Sequence, residues 1–388
     1  MNYGTIIKRA FALLVCGLVP FQTLVGQSFS SGSNGSFGPL NVEQNMTIDL
    51  PPDGIIHATT INIAQSRVLK FNRNLSNTPV YLLATGEVFI RGTIDVDGGR
   101  GTNFSGGQAG PGGFDGGNPG SLGTPAGSGF GPGGGGAGPG SRTLDGVGPG
   151  SYATASDVVS DKVGPTYGSP LLVPIVGGSG GGGTTGNPGH GGGGAGGAIL
   201  IASDTSIELA SGGRIFARGA GNAFGDRNGG SGGSVRFVAP LVFGGGQIIV
   251  SGGTFGGNGR IRIDTLDRSN VNYSFVPEST TAIGSLMLVF PDPLPRLDII
   301  GVSDRDIALG SGPAIVLFPF GSSPNRTVRV RAENFNEIVP IQVVLTPDNG
   351  EPIKIDGEID NRAANPAETT VNITIPLNVQ TTINVWTK

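Results

Sequence analysis

Cysteine is almost missing from this sequence of 388 residues; the single one is Cys16. One thiol makes no disulfide framework, so stability has to come from burial and backbone pairing. Charge is scarce as well. Only 13% of the residues are charged, about half the usual share, and lysine occurs five times. No basic cluster could neutralise several phosphates, which argues against a nucleic-acid partner. Histidine is limited to His57 and His190, and neither has a cysteine, histidine or carboxylate at ligand spacing. No metal site, Ser-His-Asp triad or cofactor is therefore expected. Long apolar runs are missing too. After residue 27 the best, Ile283 to Phe290, is stopped by Pro291, well short of the roughly 20 residues a membrane helix needs.

What the chain has in excess is glycine, 73 residues, with 28 prolines. Glycine costs about 1 kcal/mol against alanine inside a helix, and the apolar residues here are Val, Ile and Phe in short runs bounded by Gly. An all-β fold is expected. Residues 1–27 start with Lys8-Arg9, continue through an apolar run from Ala10 to Val19 and pass Pro20 into small and polar residues. That is the layout of a secretory signal peptide, and it implies an exported, extracellular or cell-surface protein. Val15 before Cys16 argues against lipidation, and Cys16 lies in the part to be removed.

The glycines are not evenly spread, because 40 of them fall between residues 98 and 197. On either side of that tract the same phrase recurs. Val80-Tyr81-Leu82-Leu83-Ala84 leads to Gly92-Thr93-Ile94-Asp95-Val96-Asp97, Ile199-Leu200-Ile201-Ala202 leads to Gly213-Arg214-Ile215-Phe216-Ala217-Arg218, and Val235-Arg236-Phe237-Val238-Ala239 leads to Gly246-Gln247-Ile248-Ile249-Val250. Copies spaced by about 36 residues where no long insert intervenes suggest stacked repeats. Strand alternation would then turn Ile94, Val96, Ile215, Ala217, Ile248 and Val250 inward. In that register Asp97 should lie beside Arg218.

These phrases resemble the glycine-rich secreted bacterial right-handed β-helix proteins, similar in architecture to pectate-lyase-like and filamentous-haemagglutinin-like folds. The resemblance covers residues 40–265 and implies a parallel β-helix, or solenoid, interrupted by a long insert; it carries no catalytic residue across. Residues 294–388 have ordinary glycine usage and strand-like runs, including Ala314 to Phe318, Thr327 to Ala332 and Ile341 to Leu345, with Asp348-Asn349-Gly350 as a hairpin turn. They resemble a small bacterial immunoglobulin-like module and suggest a small β-sandwich.

The expected organisation is a signal peptide at 1–27, a cap and first coils at 28–97, a Gly-rich insert at 98–197, resumed coils at 198–293 and the C-terminal module at 294–388. For the insert, a solvated flexible linker competes with a packed, polyproline-II-like lobe onto which the apolar island Leu171 to Val176 could dock. Trp386, the only Trp, suits packing at the end of the module or a sugar platform.

Chemistry is sparse. Asp95 and Asp97 stand two apart on one strand, about 7 Å between Cα atoms, within the range of paired glycosidase carboxylates. With Arg91 and Arg100 beside them they also suit the acidic, Arg-bearing groove of a polysaccharide lyase, or plain cross-strand pairing. Gly131-Pro132-Gly133-Gly134-Gly135-Gly136 matches a dinucleotide fingerprint only formally, since no strand precedes it and no helix can follow. The leading expectation is a non-enzymatic surface or matrix protein in adhesion or envelope structure, with polysaccharide or other cell-surface components as partners. A polysaccharide lyase or hydrolase is the main rival. A carbohydrate-binding module using Tyr81, Phe89 and Phe216 is the third reading.

Overall fold

A computed structural model describes residues 29–139, 146–158 and 160–388. The expected signal peptide and Cys16 lie outside the described residues. The chain is all-β, and the only helix among the described residues is a single 3-10 turn at Glu278–Thr280.

The N-terminal part supplies β1 (Gly38–Val42), β2 (Met46–Asp49), β3 (Ile55–Ile63), β4 (Val68–Asn72), β5 (Val80–Ala84), β6 (Val88–Ile90) and β7 (Thr93–Asp95). The glycine tract adds only the two-residue strands β8 (Gly138–Pro139) and β9 (Thr184–Thr185). Parallel pairing resumes with β10 (Ala198–Ser203), β11 (Ser206–Leu209), β12 (Arg214–Phe216), β13 (Ser234–Gly244), β14 (Gln247–Ile249), β15 (Arg260–Asp267), β16 (Ser274–Val276) and β17 (Thr281–Gly284).

The repeated phrases pair with one another in register. Val80 faces Ile199 and Ile199 faces Val235, while Ile94 faces Ile215 and Ile215 faces Ile248. The six residues expected to point inward are all buried, in one cluster with Leu40, Leu69, Leu82 and Phe237. The strands do not make the expected open solenoid, however. β3 is long enough to bridge both β5 and β6, and β13 bridges both β10 and β11. With β5 on β10 and β6 on β11, the pairing closes into a six-strand parallel barrel, β3-β5-β10-β13-β11-β6. The resemblance to right-handed β-helix proteins is corrected accordingly. Its cause is the breaks after Ala84 and Ser203, which split two strands while their neighbours run on. β1 joins this sheet at β3, and β15 and β17 extend it from β13. A second parallel sheet has the order β16-β14-β12-β7-β4-β2.

The described part of 98–197 is not a solvated linker. Successive amides of 191–198 bond to three different neighbours in turn. Gly191, Gly194 and Gly197 donate to Thr102, Gly99 and Val96; Gly192, Ala195 and Ala198 to Gly117, Phe114 and Pro111; Gly193 and Gly196 to Asn228 and Ser231. A period of three is that of polyproline II, whose backbone has no internal bonds and here spends them between chains. The inner chain needs small residues on every side. In its neighbour a glycine stands at every third position, Gly107, Gly110, Gly113 and Gly116. A Cβ on any of these four would run into backbone atoms.

The island at Leu171 to Val176 has no strand, but Leu172 and Ile175 are buried against Leu200 and Val238 on the outward side of β10 and β13. On the same face Arg236 is fully buried, its Nη2 donating to Asp264 Oδ2 at 2.9 Å and to the Leu286 carbonyl at 3.1 Å.

The C-terminal part contains β18 (Arg296–Val302), β19 (Arg305–Asp306), β20 (Asn325–Glu333), β21 (Ile338–Pro347), β22 (Ile353–Asp360), β23 (Ala367–Thr374) and β24 (Thr381–Thr387). They form two antiparallel sheets, β19-β18-β20-β23 and β22-β21-β24, which share one apolar cluster around Val330, Ile341 and Val343. The hairpin at Asp348-Asn349-Gly350 joins β21 to β22 as expected. The immunoglobulin-like resemblance is corrected on two points. β22 pairs with β21 and not with β23, and among the described residues β24 is the edge of its sheet, unlike the ABED/CFG pattern of a constant-type domain. Ala314 to Phe318, expected as a strand, has none. This part leans on the glycine lattice: Gly350 N donates to the Ala126 carbonyl at 3.0 Å, and Trp386 packs edge-on against Phe114 with ring centroids 5.3 Å apart.

Candidate functional site

The sequence candidates divide. Asp95 and Asp97 line a polar groove of about 570 Å³ with Lys70, Arg73 and Gln108, where β4, β7 and the glycine lattice meet. Strand pairing builds it, since Lys70 of β4 stands opposite Asp95 of β7. Arg91 and Arg100 are not part of that lining. Arg91 lies over the Phe89 ring, 4.7 Å from its centroid, and Arg100 is exposed.

Each carboxylate in the groove is held by fixed partners. Lys70 Nζ is 2.8 Å from Asp95 Oδ2, and the amide of Asp97 donates to Asp95 Oδ1 at 3.0 Å. Asp97 accepts from the Arg218 amide on Oδ1 at 2.6 Å, and from Arg218 Nε and Nη2 on Oδ2 at 2.8 and 2.6 Å. The Asp97–Arg218 neighbour relation is the one expected from the repeat register. Burial raises the Asp97 carboxyl above its ordinary range, and the bonds from Arg218 offset only part of that. The same bonds raise Arg218, and the bond to Asp95 raises the Lys70 ammonium. Arg73 closes the groove on one side through Asp115, with contacts at 2.7 and 3.3 Å. The groove is thus a set of neutralised ion pairs with polar rims.

A second constellation escaped the sequence reading. His190 Nδ1 lies 2.6 Å from Asp226 Oδ2, which also accepts from Asn222 Nδ2 at 2.7 Å. Asp226 is buried, and the imidazole stacks on Phe224 with centroids 3.9 Å apart and planes 14° from parallel. With Nδ1 on the carboxylate, Nε2 points away from it, the arrangement that orients imidazoles for ligand contact. Separation in sequence hid the pair, although 36 residues between His190 and Asp226 is the spacing of the repeats themselves. His57 is unrelated, its Nδ1 accepting from the Asn34 amide at 3.3 Å. Among the described residues no group of three or more His, Cys, Asp or Glu side chains could hold a metal ion, and no helix is long and apolar enough to cross a membrane.

The aromatic residues of the third reading are occupied. Tyr81 is covered by Phe290, with ring centroids 5.1 Å apart, and burial pushes its hydroxyl up to about 12. Phe216 is covered by Arg218, 4.2 Å from the ring centroid, and Phe89 by Arg91. No protein-family model matches the sequence, and comparison with curated proteins and with solved structures finds no match.

Proposed function

We propose that this chain is an exported, non-catalytic protein of the cell surface or extracellular matrix, acting in adhesion or in the structure of the envelope. One observation carries the reading: both groove carboxylates are engaged on both oxygens by cationic and backbone partners. A general acid must hold a transferable proton and a nucleophile must have a free lone pair aimed at substrate. Asp97, clasped through both oxygens by Arg218, is suited to joining two neighbouring strands. A backbone lattice beside a closed barrel is a rigid support on which recognition loops can be carried, and the N-terminal sequence pattern favours export.

A polysaccharide lyase or hydrolase is the second reading, favoured by the raised Asp97 carboxyl beside Lys70 and Arg73 in an open groove. Incubating the purified chain with pectate, alginate, xylan and chitin separates the two. The expected outcome is no release of reducing ends and no unsaturated uronate. Product release that is lost in Asp95→Asn or Asp97→Asn would overturn the non-catalytic reading. Export is checked separately by fractionating the producing cells, where the chain should appear outside the cytoplasm and shorter by its N-terminal segment.

A further inference from the structure

Three phenylalanines stand at the tips of three neighbouring loops. Phe104 is 91% exposed, Phe224 37% and Phe255 44%. Their loops are adjacent in the stack. Gly101 N donates to the Gly221 carbonyl at 3.3 Å and Ala223 N to the Gly101 carbonyl at 3.0 Å, which sets the 102–105 turn beside the 222–227 loop. Gly229 N donates to the Thr254 carbonyl at 3.0 Å and Gly253 N to the Gly230 carbonyl at 2.8 Å, which sets 254–256 beside that loop in turn. The backbones carrying the rings therefore follow one another at the spacing of hydrogen-bonded neighbours, about 4.8 Å.

Each tip is built to hold its ring outward. The Phe104 amide is bound by Thr102 Oγ1 at 3.1 Å and the Phe224 amide by Asn222 Oδ1 at 3.0 Å, the same two-residue cap in both loops. Phe255 has φ of +59° in a turn closed by Gly256 N to the Gly253 carbonyl at 2.9 Å, a place where glycine is the usual residue. An aromatic side chain kept in the left-handed region on an exposed turn is a strained choice that points to use. Two of the rings have polar backing on one face: His190 stacks on Phe224, and Arg227 lies 4.5 Å from the Phe255 centroid. His190 is fixed in turn by buried Asp226.

We propose that Phe104, Phe224 and Phe255, with His190 stacked on Phe224 and Arg227 over Phe255, form a binding surface for an extended polysaccharide. Sugar rings present polarised C–H groups to the electron-rich faces of aromatic rings, while their hydroxyls need hydrogen-bond donors and acceptors at the sides. Rings backed by an imidazole and a guanidinium supply both kinds of contact. An all-apolar partner would leave His190 Nε2 and the Arg227 guanidinium desolvated without bonds, at a cost. The loop spacing, close to the rise per sugar in an extended chain, suits successive residues of one glycan. This surface is separate from the Asp95–Asp97 groove and stands whether or not that groove has catalytic activity.

An array of neutral and uronic-acid polysaccharides probed with the whole chain, followed by affinity electrophoresis on each hit, tests the proposal. At least one polysaccharide should bind. Phe104→Ala and Phe224→Ala should each weaken that binding tenfold or more, Phe104→Tyr should keep it, and Leu122→Ala, on an exposed turn outside the row, should not change it. Thermal melts of each variant exclude unfolding as the cause. The proposal is overturned if the parent binds no polysaccharide on the array, if Phe104→Ala and Phe224→Ala bind as the parent does, or if the rings mediate binding only to phosphatidylcholine vesicles.

Discussion

The barrel and the glycine lattice lie side by side in one chain and are held by opposite means. In the barrel, branched side chains such as Ile61, Leu82 and Ile201 belong to one buried cluster, and the backbone bonds run in regular ladders. In the lattice the side chains are gone, and chains pack backbone to backbone with bonds directed to three neighbours per turn. A side-chain core has slack, because rotamers and neighbouring methyl groups can shift. A backbone core has almost none, since the atom that would have to move is a peptide group already engaged in a hydrogen bond. The two regions should therefore respond in contrasting ways to changes of the same size.

The sharpest test adds one methyl group to the lattice. A Cβ on Gly233 would land on the carbonyl oxygen of Gly197, which itself accepts from Ser234 N at 2.9 Å. Gly233→Ala is expected to cost about 4 kcal/mol or more, in the range reserved for core disruption, measured as loss of the denaturant midpoint. Tolerance of this alanine would mean that the lattice has slack after all. Removing three carbons from the barrel, in Ile201→Ala at a fully buried position of β10, should cost less, about 3 kcal/mol, by the same measurement. A glycine kept for its dihedral angle alone gives the third level. Gly225 has φ of +80° and open space where a Cβ would go, so Gly225→Ala should cost only about 1 kcal/mol. If Gly225→Ala matched Gly233→Ala, conformational freedom and not close approach would explain the lattice glycines.

The same contrast explains what could be read from the sequence. The inward residues along β7, β12 and β14 were legible because alternation of period two has a direct geometric meaning, and the repeated phrases fixed the register that places Asp97 on Arg218. Closure of the barrel was not legible. It depends on β3 and β13 running past the points where their neighbours break, and strand length is the least secure part of any sequence reading. The lattice carried a signal that went unused, glycine at 107, 110, 113 and 116, a period of three. Composition alone made that stretch look like a linker. Of the candidate site, Asp95 and Asp97 were found, whereas Arg91 and Arg100 turned out to lie elsewhere. His190 and Asp226 stand 36 residues apart with no local motif to join them, and the aromatic tips, whose shared form is Gly-Thr-Asn-Phe, Gly-Asn-Ala-Phe and Gly-Thr-Phe, sit in loops outside the strand pattern.

The smallest effect is expected at the seam, where β7 gives way to the lattice at Gly98 and a side-chain clasp joins the two kinds of packing. Asp97 and Arg218 form it at 2.6 Å, with the guanidinium 42% exposed. Solvent screening at such a pair leaves little net stabilisation, so Asp97→Asn should change stability by less than about 1 kcal/mol at neutral pH. Its pH dependence is more telling. Burial raises the Asp97 carboxyl in the folded chain above its ordinary 3.8, so between those two values the folded state binds more protons than the unfolded one. Stability of the parent should therefore fall relative to Asp97→Asn as pH rises from 3.8 through the raised value, then run parallel above it. Melting curves of both proteins across that window measure the difference. A slope of the opposite sign would mean that attraction to Arg218 outweighs burial, and that the seam, like the barrel, is held by its side chains.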